Sequence, residues 1–148
     1  MDKKPTLYVL IGPAGSGKTT FAKRLWAIRV CPDVIRGEMF GDEAAQKDPE
    51  AVFRHAYELM TDWMCLGWDV VFDATSTTTK ARRKILDQVD AIRCRKVAVF
   101  MNTPVEEALR RNAARSRKVP EDVIRKQYAQ LYRDAHTIPE QFDEIVVV

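Results

Sequence analysis

Glycine is scarce in this chain. There are six in 148 residues, and three of the six fall at positions 12, 15 and 17. Cysteine is scarcer still: Cys31, Cys65 and Cys94 are odd in number and far apart. That spacing supports neither a disulfide framework nor a metal knuckle and leaves reduced, buried thiols as the expectation. The two histidines, His55 and His136, lie in helical segments without partners, and no role attaches to them. Apolar runs stay far short of a membrane span, and the start Met1-Asp2-Lys3-Lys4 lacks the pattern of a secretory leader. No membrane partner and a cytoplasmic location follow as expectations. Repeats, low-complexity tracts and linkers are missing too, so residues 1–148 read as one domain. What the chain has is an ordinary apolar fraction of 46% and a net charge of +3, with the excess of cations in its second half. A basic half suits a polyanionic partner, and it equally suits a site holding one nucleotide.

Short apolar runs alternate with amphipathic stretches throughout. Strands are expected at 7–11, 34–36, 69–73, 95–101 and 144–148, and helices at 18–28, 49–66, 79–91, 104–116 and 120–134. That order predicts an α/β fold: a five-stranded parallel sheet with helices on both faces. Asp48-Pro49-Glu50 reads as a helix start, with an N-cap, a proline at the first position and an acid in the first turn. Thr103-Pro104-Val105-Glu106 reads as a capping box. The β-branched run Ile145-Val146-Val147-Val148 is expected to be a buried strand that ends the chain inside its sheet, with no appended domain. Residues 37–48 form the longest irregular stretch, long enough to expect a function there.

The clustered glycines belong to Gly12-Pro13-Ala14-Gly15-Ser16-Gly17-Lys18-Thr19, which satisfies G-x-x-x-x-G-K-[ST]. Leu7–Ile11 precedes it as a strand and a helix follows, the setting this phosphate-binding loop requires. Glycine lets the backbone take positive φ and lets phosphate oxygens approach the N–H groups. Gly12, Ala14, Gly15, Ser16, Gly17, Lys18, Thr19 and Thr20 are therefore the nucleotide-binding candidates. Lys18 would reach the β- and γ-phosphates of ATP, and Thr19 would ligate Mg²⁺. The expected fold is thus that of P-loop NTPases.

Ligands of such sheets bind beyond the carboxyl ends of the strands. Asp73 ends an apolar strand there and would hold a metal-bound water, position an acceptor or brace the loop through Thr19. Glu38 is the candidate general base, with Asp33 and Asp42 as competitors. Arg111 and Arg115 share one helix face within a run of five cations and no acid, Arg110–Lys118. They are expected to form a lid that neutralises transition-state charge. A second basic cluster, Lys80, Arg82, Arg83 and Lys84, would grip acceptor phosphates or simply keep a helix soluble. Trp63, Trp68 and Phe53 read first as packing residues, with base stacking as the lesser reading.

The loop at 12–19, Asp73-x-Thr75 and the pair Arg111/Arg115 resemble, in order and spacing, the kinase half of the bacteriophage polynucleotide kinase-phosphatases, which phosphorylate 5′-hydroxyl ends of DNA and RNA. The likeness covers nearly the whole chain and is closest from Val99 to Tyr132, where Arg-Asn-x-x-Arg is followed by Val-Pro and a tyrosine-bearing helix. It implies an ATP- and Mg²⁺-dependent kinase with a nucleic-acid 5′ end as acceptor, Lys18 and Thr19 on phosphates and metal, and Arg111 and Arg115 as an arginine-bearing lid. One element departs. The family's acceptor motif reads like Arg-Asp-Asp-x-Arg; aligned without a gap, this chain offers Gly37-Glu38-Met39-Phe40-Gly41, with Glu38 as base and Gly41 where the arginine belongs. Arg36 is the possible substitute. The alternatives are a kinase for a small molecule, nucleoside or modified base, and a nucleotide-binding module with little transfer activity.

Overall fold

The computed structural model describes residues 4–148. The leader reading of Met1-Asp2-Lys3 lies outside the described residues. Five strands form one parallel sheet: β1 (Thr6–Ile11), β2 (Ile28–Val30), β3 (Val70–Phe72), β4 (Arg95–Phe100) and β5 (Glu144–Val147), in the order β2-β3-β1-β4-β5. The central β1 aligns Val9 with Phe72 on one side and Ile11 with Phe100 on the other. Its alternate residues feed two cores, as the period of a strand demands. Leu7, Val9 and Ile11 pack beneath α3 (Pro49–Cys65) and α4 (Thr79–Gln88). Leu10 packs beneath α1 (Lys18–Arg24) through Ala22, with Phe21 and Leu25 at its edge. Helices thus cover both faces.

Several expected boundaries move. Residues 34–36 are not a strand but lie within α2 (Pro32–Phe40), and the second strand is Ile28–Val30, where a helix was expected to end. Val34-Ile35 has the composition of a strand, but Pro32 fixes φ at the helix start and Asp33 stands in the first turn. Gly41 ends that helix at φ 75°, the left-handed stop glycine favours. The irregular stretch therefore shrinks to 41–48. Asp48 caps α3 as read, its carboxylate accepting from the Ala51 N–H at 3.1 Å. Thr103 caps nothing: its hydroxyl donates to the Ser16 carbonyl at 2.9 Å, and Pro104 holds the N-cap of α5 (Val105–Ala113). Strand β5 lies at the sheet edge, so Ile145 and Val147 are exposed rather than buried. The thiols are free, yet only Cys31 is buried; Cys94 is half-buried and Cys65 exposed.

The chain between α5 and β5 includes α6 (Glu121–Asp134), a short 3₁₀ turn (Ala135–Thr137) and α7 (Ile138–Gln141). Arg82 bolts this region to α4. It is fully buried, and its guanidinium donates to the Ser76 carbonyl (2.9 Å), the Asp134 carbonyl (2.7 Å), Thr137 Oγ1 (3.1 Å) and Gln141 Oε1 (2.8 Å). It is therefore no phosphate grip, whereas Lys80, Arg83 and Lys84 beside it are exposed. No helix among the described residues is long and apolar enough to cross a membrane.

Candidate active site

The carboxyl ends of β1, β2, β3 and β4 open into one cleft of about 1270 Å³. The phosphate-binding loop leaves β1 with Gly15 at φ 82° and Gly17 at φ 98°. Space as well as φ excludes side chains here: a Cβ on Gly15 would lie 2.4 Å from the Ala108 carbonyl oxygen of α5. The loop is braced from three elements. Gly12 N–H donates to the Thr75 carbonyl (2.9 Å), Ala14 N–H to Gln127 Oε1 of α6 (2.9 Å), and Thr103 to Ser16, with the Tyr128 hydroxyl in turn on the Thr103 carbonyl (2.7 Å). The bracing of Gln127 was not legible in the sequence, because one amide 113 residues downstream leaves no local pattern.

Lys18 folds back on its own loop, Nζ donating to the Pro13 carbonyl at 2.9 Å, which also accepts from the Ser16 hydroxyl at 2.7 Å. Burial pushes the Lys18 ammonium down to about 8. Asp73 and Asp33 pull it up, and Arg115 pushes it down further. These four groups therefore share one electrostatic field.

Asp73 is buried at the end of β3, where one oxygen, Oδ2, accepts from Thr19 Oγ1 (3.3 Å) and from Arg29 Nε (2.9 Å). Arg29 also donates to Thr19 Oγ1 at 3.3 Å. Arg29 lies on β2, directly after the stretch 18–28 whose sequence predicts a helix, and so carries no site signal of its own. Thr19 and Asp73 fit Mg²⁺: two adjacent hard oxygens suffice for an ion that keeps several waters and completes its shell with phosphate oxygens. Among the described residues no group of three or more His, Cys, Asp or Glu could hold a metal without such help.

The acceptor side differs from expectation. Glu38 is exposed on α2 and does not line the cleft, and neither does Asp42. Asp33 and Arg36, one helical turn apart on α2, do line it. Asp33 accepts from Arg36 Nη1 at 2.6 Å and pairs with Arg117 Nη1 at 3.5 Å from across the cleft. The spacing Asp33-x-x-Arg36 had been hidden by aligning the acceptor motif without a gap. Arg111 and Arg115 also line the cleft. Arg111 Nη1 lies 3.3 Å from where a Gly17 Cβ would stand, and its Nε donates to Glu107 at 3.0 Å. Hydrogen bonds from Arg110 and then Arg111 hold the Glu107 carboxyl down to about 2. Thr20 lines the cleft as well. The arrangement is an anion cradle with cations on its lid and an acid–arginine pair on the opposite wall.

A family model described as an AAA domain matches residues 7–134. The chain belongs to that family. Its fold is shared with a chain of the Pnkp1/Rnl/Hen1 RNA repair complex at a TM-score of 0.82 and 22% identity, covering 93% of this chain and 47% of the other. The chain thus spans about half the length of that relative. A chain of the PezAT chromosomal toxin–antitoxin system of Streptococcus pneumoniae is similar at 0.75 and 16% identity, covering 98% of this chain and 68% of that one. Shikimate kinase from Bacteroides thetaiotaomicron is similar at 0.59 and 18%, covering 95% and 85%. The fold is that of P-loop kinases, and it agrees with the resemblance to polynucleotide kinase-phosphatases.

Proposed function

We propose that this chain is an ATP-dependent kinase that transfers the γ-phosphoryl group to the 5′-hydroxyl end of a DNA or RNA strand. The observation that carries this reading is the pair Asp33 and Arg36 on the cleft wall, with Asp33 in the field of Lys18. Asp33, in place of Glu38, takes the proton from the attacking hydroxyl. Arg36 holds an acceptor phosphate, a bidentate task for a planar guanidinium. Loop N–H groups and Lys18 hold the β- and γ-phosphates, and Arg111 and Arg115 neutralise charge on the phosphoryl group in flight. Thr19 and Asp73 would hold Mg²⁺, which when bound supplies charge neutralisation at the phosphate oxygens.

Incubation with γ-labelled ATP and single strands tests this reading. Label passes to a 5′-hydroxyl oligonucleotide and not to its 5′-phosphorylated twin; absence of transfer at micromolar enzyme overturns it. The likeness in fold to a shikimate kinase favours one competing reading, in which a small hydroxyl compound is the acceptor. Turnover of such compounds far exceeding that of any strand would establish it.

Lys18 makes nucleotide affinity depend on pH. Phosphates favour its charged form, which the free protein holds only below about 8. Below pH 7 this group contributes no dependence. Above pH 8 binding must draw in a proton, and ATP affinity falls by up to about tenfold per pH unit. Titration calorimetry in buffers of different ionisation enthalpy reads that proton uptake directly, and Lys18→Arg removes it.

A further inference from the structure

A second cavity, of about 810 Å³, runs between α3 and α4. It joins the nucleotide cleft, since Phe53, Ala74 and Thr75 line both. Its α3 wall is aromatic. Phe53 and Tyr57 stand 6.0 Å apart at 55°, and Tyr57 is backed by Phe72 of β3 at 5.9 Å and 23°. A ring held from behind is a preformed platform that loses little freedom when another ring stacks on it. The α4 side carries the exposed cations Lys80 and Lys84, while Arg54, Glu50 and Glu58 stand on α3.

One side-chain group of this cavity has no partner among the described residues. Ser76 lines it, is 4% exposed and takes φ 48°, a backbone conformation that residues other than glycine rarely adopt. Its Oγ has no hydrogen-bond partner among the described residues. A buried, unpartnered hydroxyl on a strained backbone requires an explanation, and functional sites are where such outliers collect.

We propose that this groove seats the acceptor strand beyond its reacting 5′ end: bases against Phe53 and Tyr57, phosphates along Lys80 and Lys84, and the Ser76 hydroxyl on a base or sugar polar group. The inference rests on the polynucleotide kinase reading and names where that substrate lies. Three points select a strand over a small molecule. Aromatic faces beside a line of cations are the recognition chemistry of single-stranded nucleic acid. The acids lie on the α3 wall only, so phosphates keep to the α4 side. And the groove opens onto the cleft at Ala74 and Thr75, next to Asp73, as a strand fed toward that site requires.

Anisotropy with a labelled, 5′-phosphorylated octanucleotide measures groove binding without turnover. The double variant Lys80→Glu/Lys84→Glu weakens it about tenfold or more and flattens the slope of log affinity against log salt by about 1.4, two single-strand phosphate contacts. Arg83→Glu, on the same helix but outside the groove, changes neither. Ser76→Gly, which relieves the backbone, also weakens binding while raising or preserving thermal stability. In end-labelling, the ratio of kcat/KM for an octanucleotide to that for a nucleoside 3′-monophosphate falls about tenfold in the double variant. Unchanged octanucleotide affinity and salt slope in the double variant overturn the groove. Failure of every hydroxyl-bearing strand to accept label overturns the kinase reading instead, and the anisotropy result still decides the groove.

Discussion

Asp33→Asn lowers phosphoryl transfer about 10²–10⁴-fold, the span a general base commands, and leaves ATP affinity within about threefold of wild type. Glu38→Gln changes neither. The contrast follows from position. Asp33 stands in the first turn of α2 on the cleft wall, whereas Glu38, more than a turn further on, is exposed and is not part of the cleft lining. Removing the Asp33 charge also frees Arg36 and Arg117, which it pairs at 2.6 Å and 3.5 Å. A loss caused by that release alone would appear in the KM for the acceptor, if Arg36 anchors it as proposed. A lost base lowers kcat. Steady-state kinetics with the acceptor varied, beside calorimetric ATP titration, separates the two. Equal losses in Asp33→Asn and Glu38→Gln would sink the assignment.

Arg82→Met destabilises the fold by about 3 kcal/mol or more, the range for removing one partner from a buried polar network. Four acceptors each lose one donor at once: the carbonyls of Ser76 and Asp134, Thr137 Oγ1 and Gln141 Oε1. Burial lowers the Arg82 pKa and Asp134 opposes that. The charge is thus held against its desolvation by the bonds it makes. Lysine cannot replace it, since one ammonium does not span four acceptors arranged around a planar fork. Urea unfolding should show a lower midpoint at unchanged slope, while Lys84→Met at an exposed neighbouring site stays within about 0.5 kcal/mol. Equal stability of Arg82→Met and wild type would refute the bolt.

The two predictions mark where the sequence was and was not legible. The loop at 12–19 and Asp73 could be read because their chemistry is local: a fixed spacing of glycines, or an acid at the end of an apolar run. The central strands, buried on both faces, announce themselves by composition alone. Arg82 could not be read, because three of the four acceptors that make its burial tolerable lie 52 to 59 residues away. The error at α2 had a local cause. Val34-Ile35 has the composition of a strand, and a strand placed there leaves Arg29 and Asp33 without their true positions on β2 and α2. Pro32 and Gly41, which bracket the helix, were the signals that would have restored it.

The segment joining α5 to α6 is tied off at its base by one side chain. Asn112 donates to the Val119 carbonyl at 2.7 Å and accepts from its N–H at 2.9 Å, the way one strand pairs with another. Residues 113–118 are thereby a closed ring, and α6 behind it is anchored through Gln127 to the phosphate loop and through Asp134 to Arg82. Arg115 and Arg117 both sit on that ring and both line the cleft. Arg117 reaches from it across the cleft to Asp33 of α2. One six-residue ring thus sets a cation against the carboxylate of α2 and a second cation within the field of Lys18, joining the two walls of the cleft through a single amide knot.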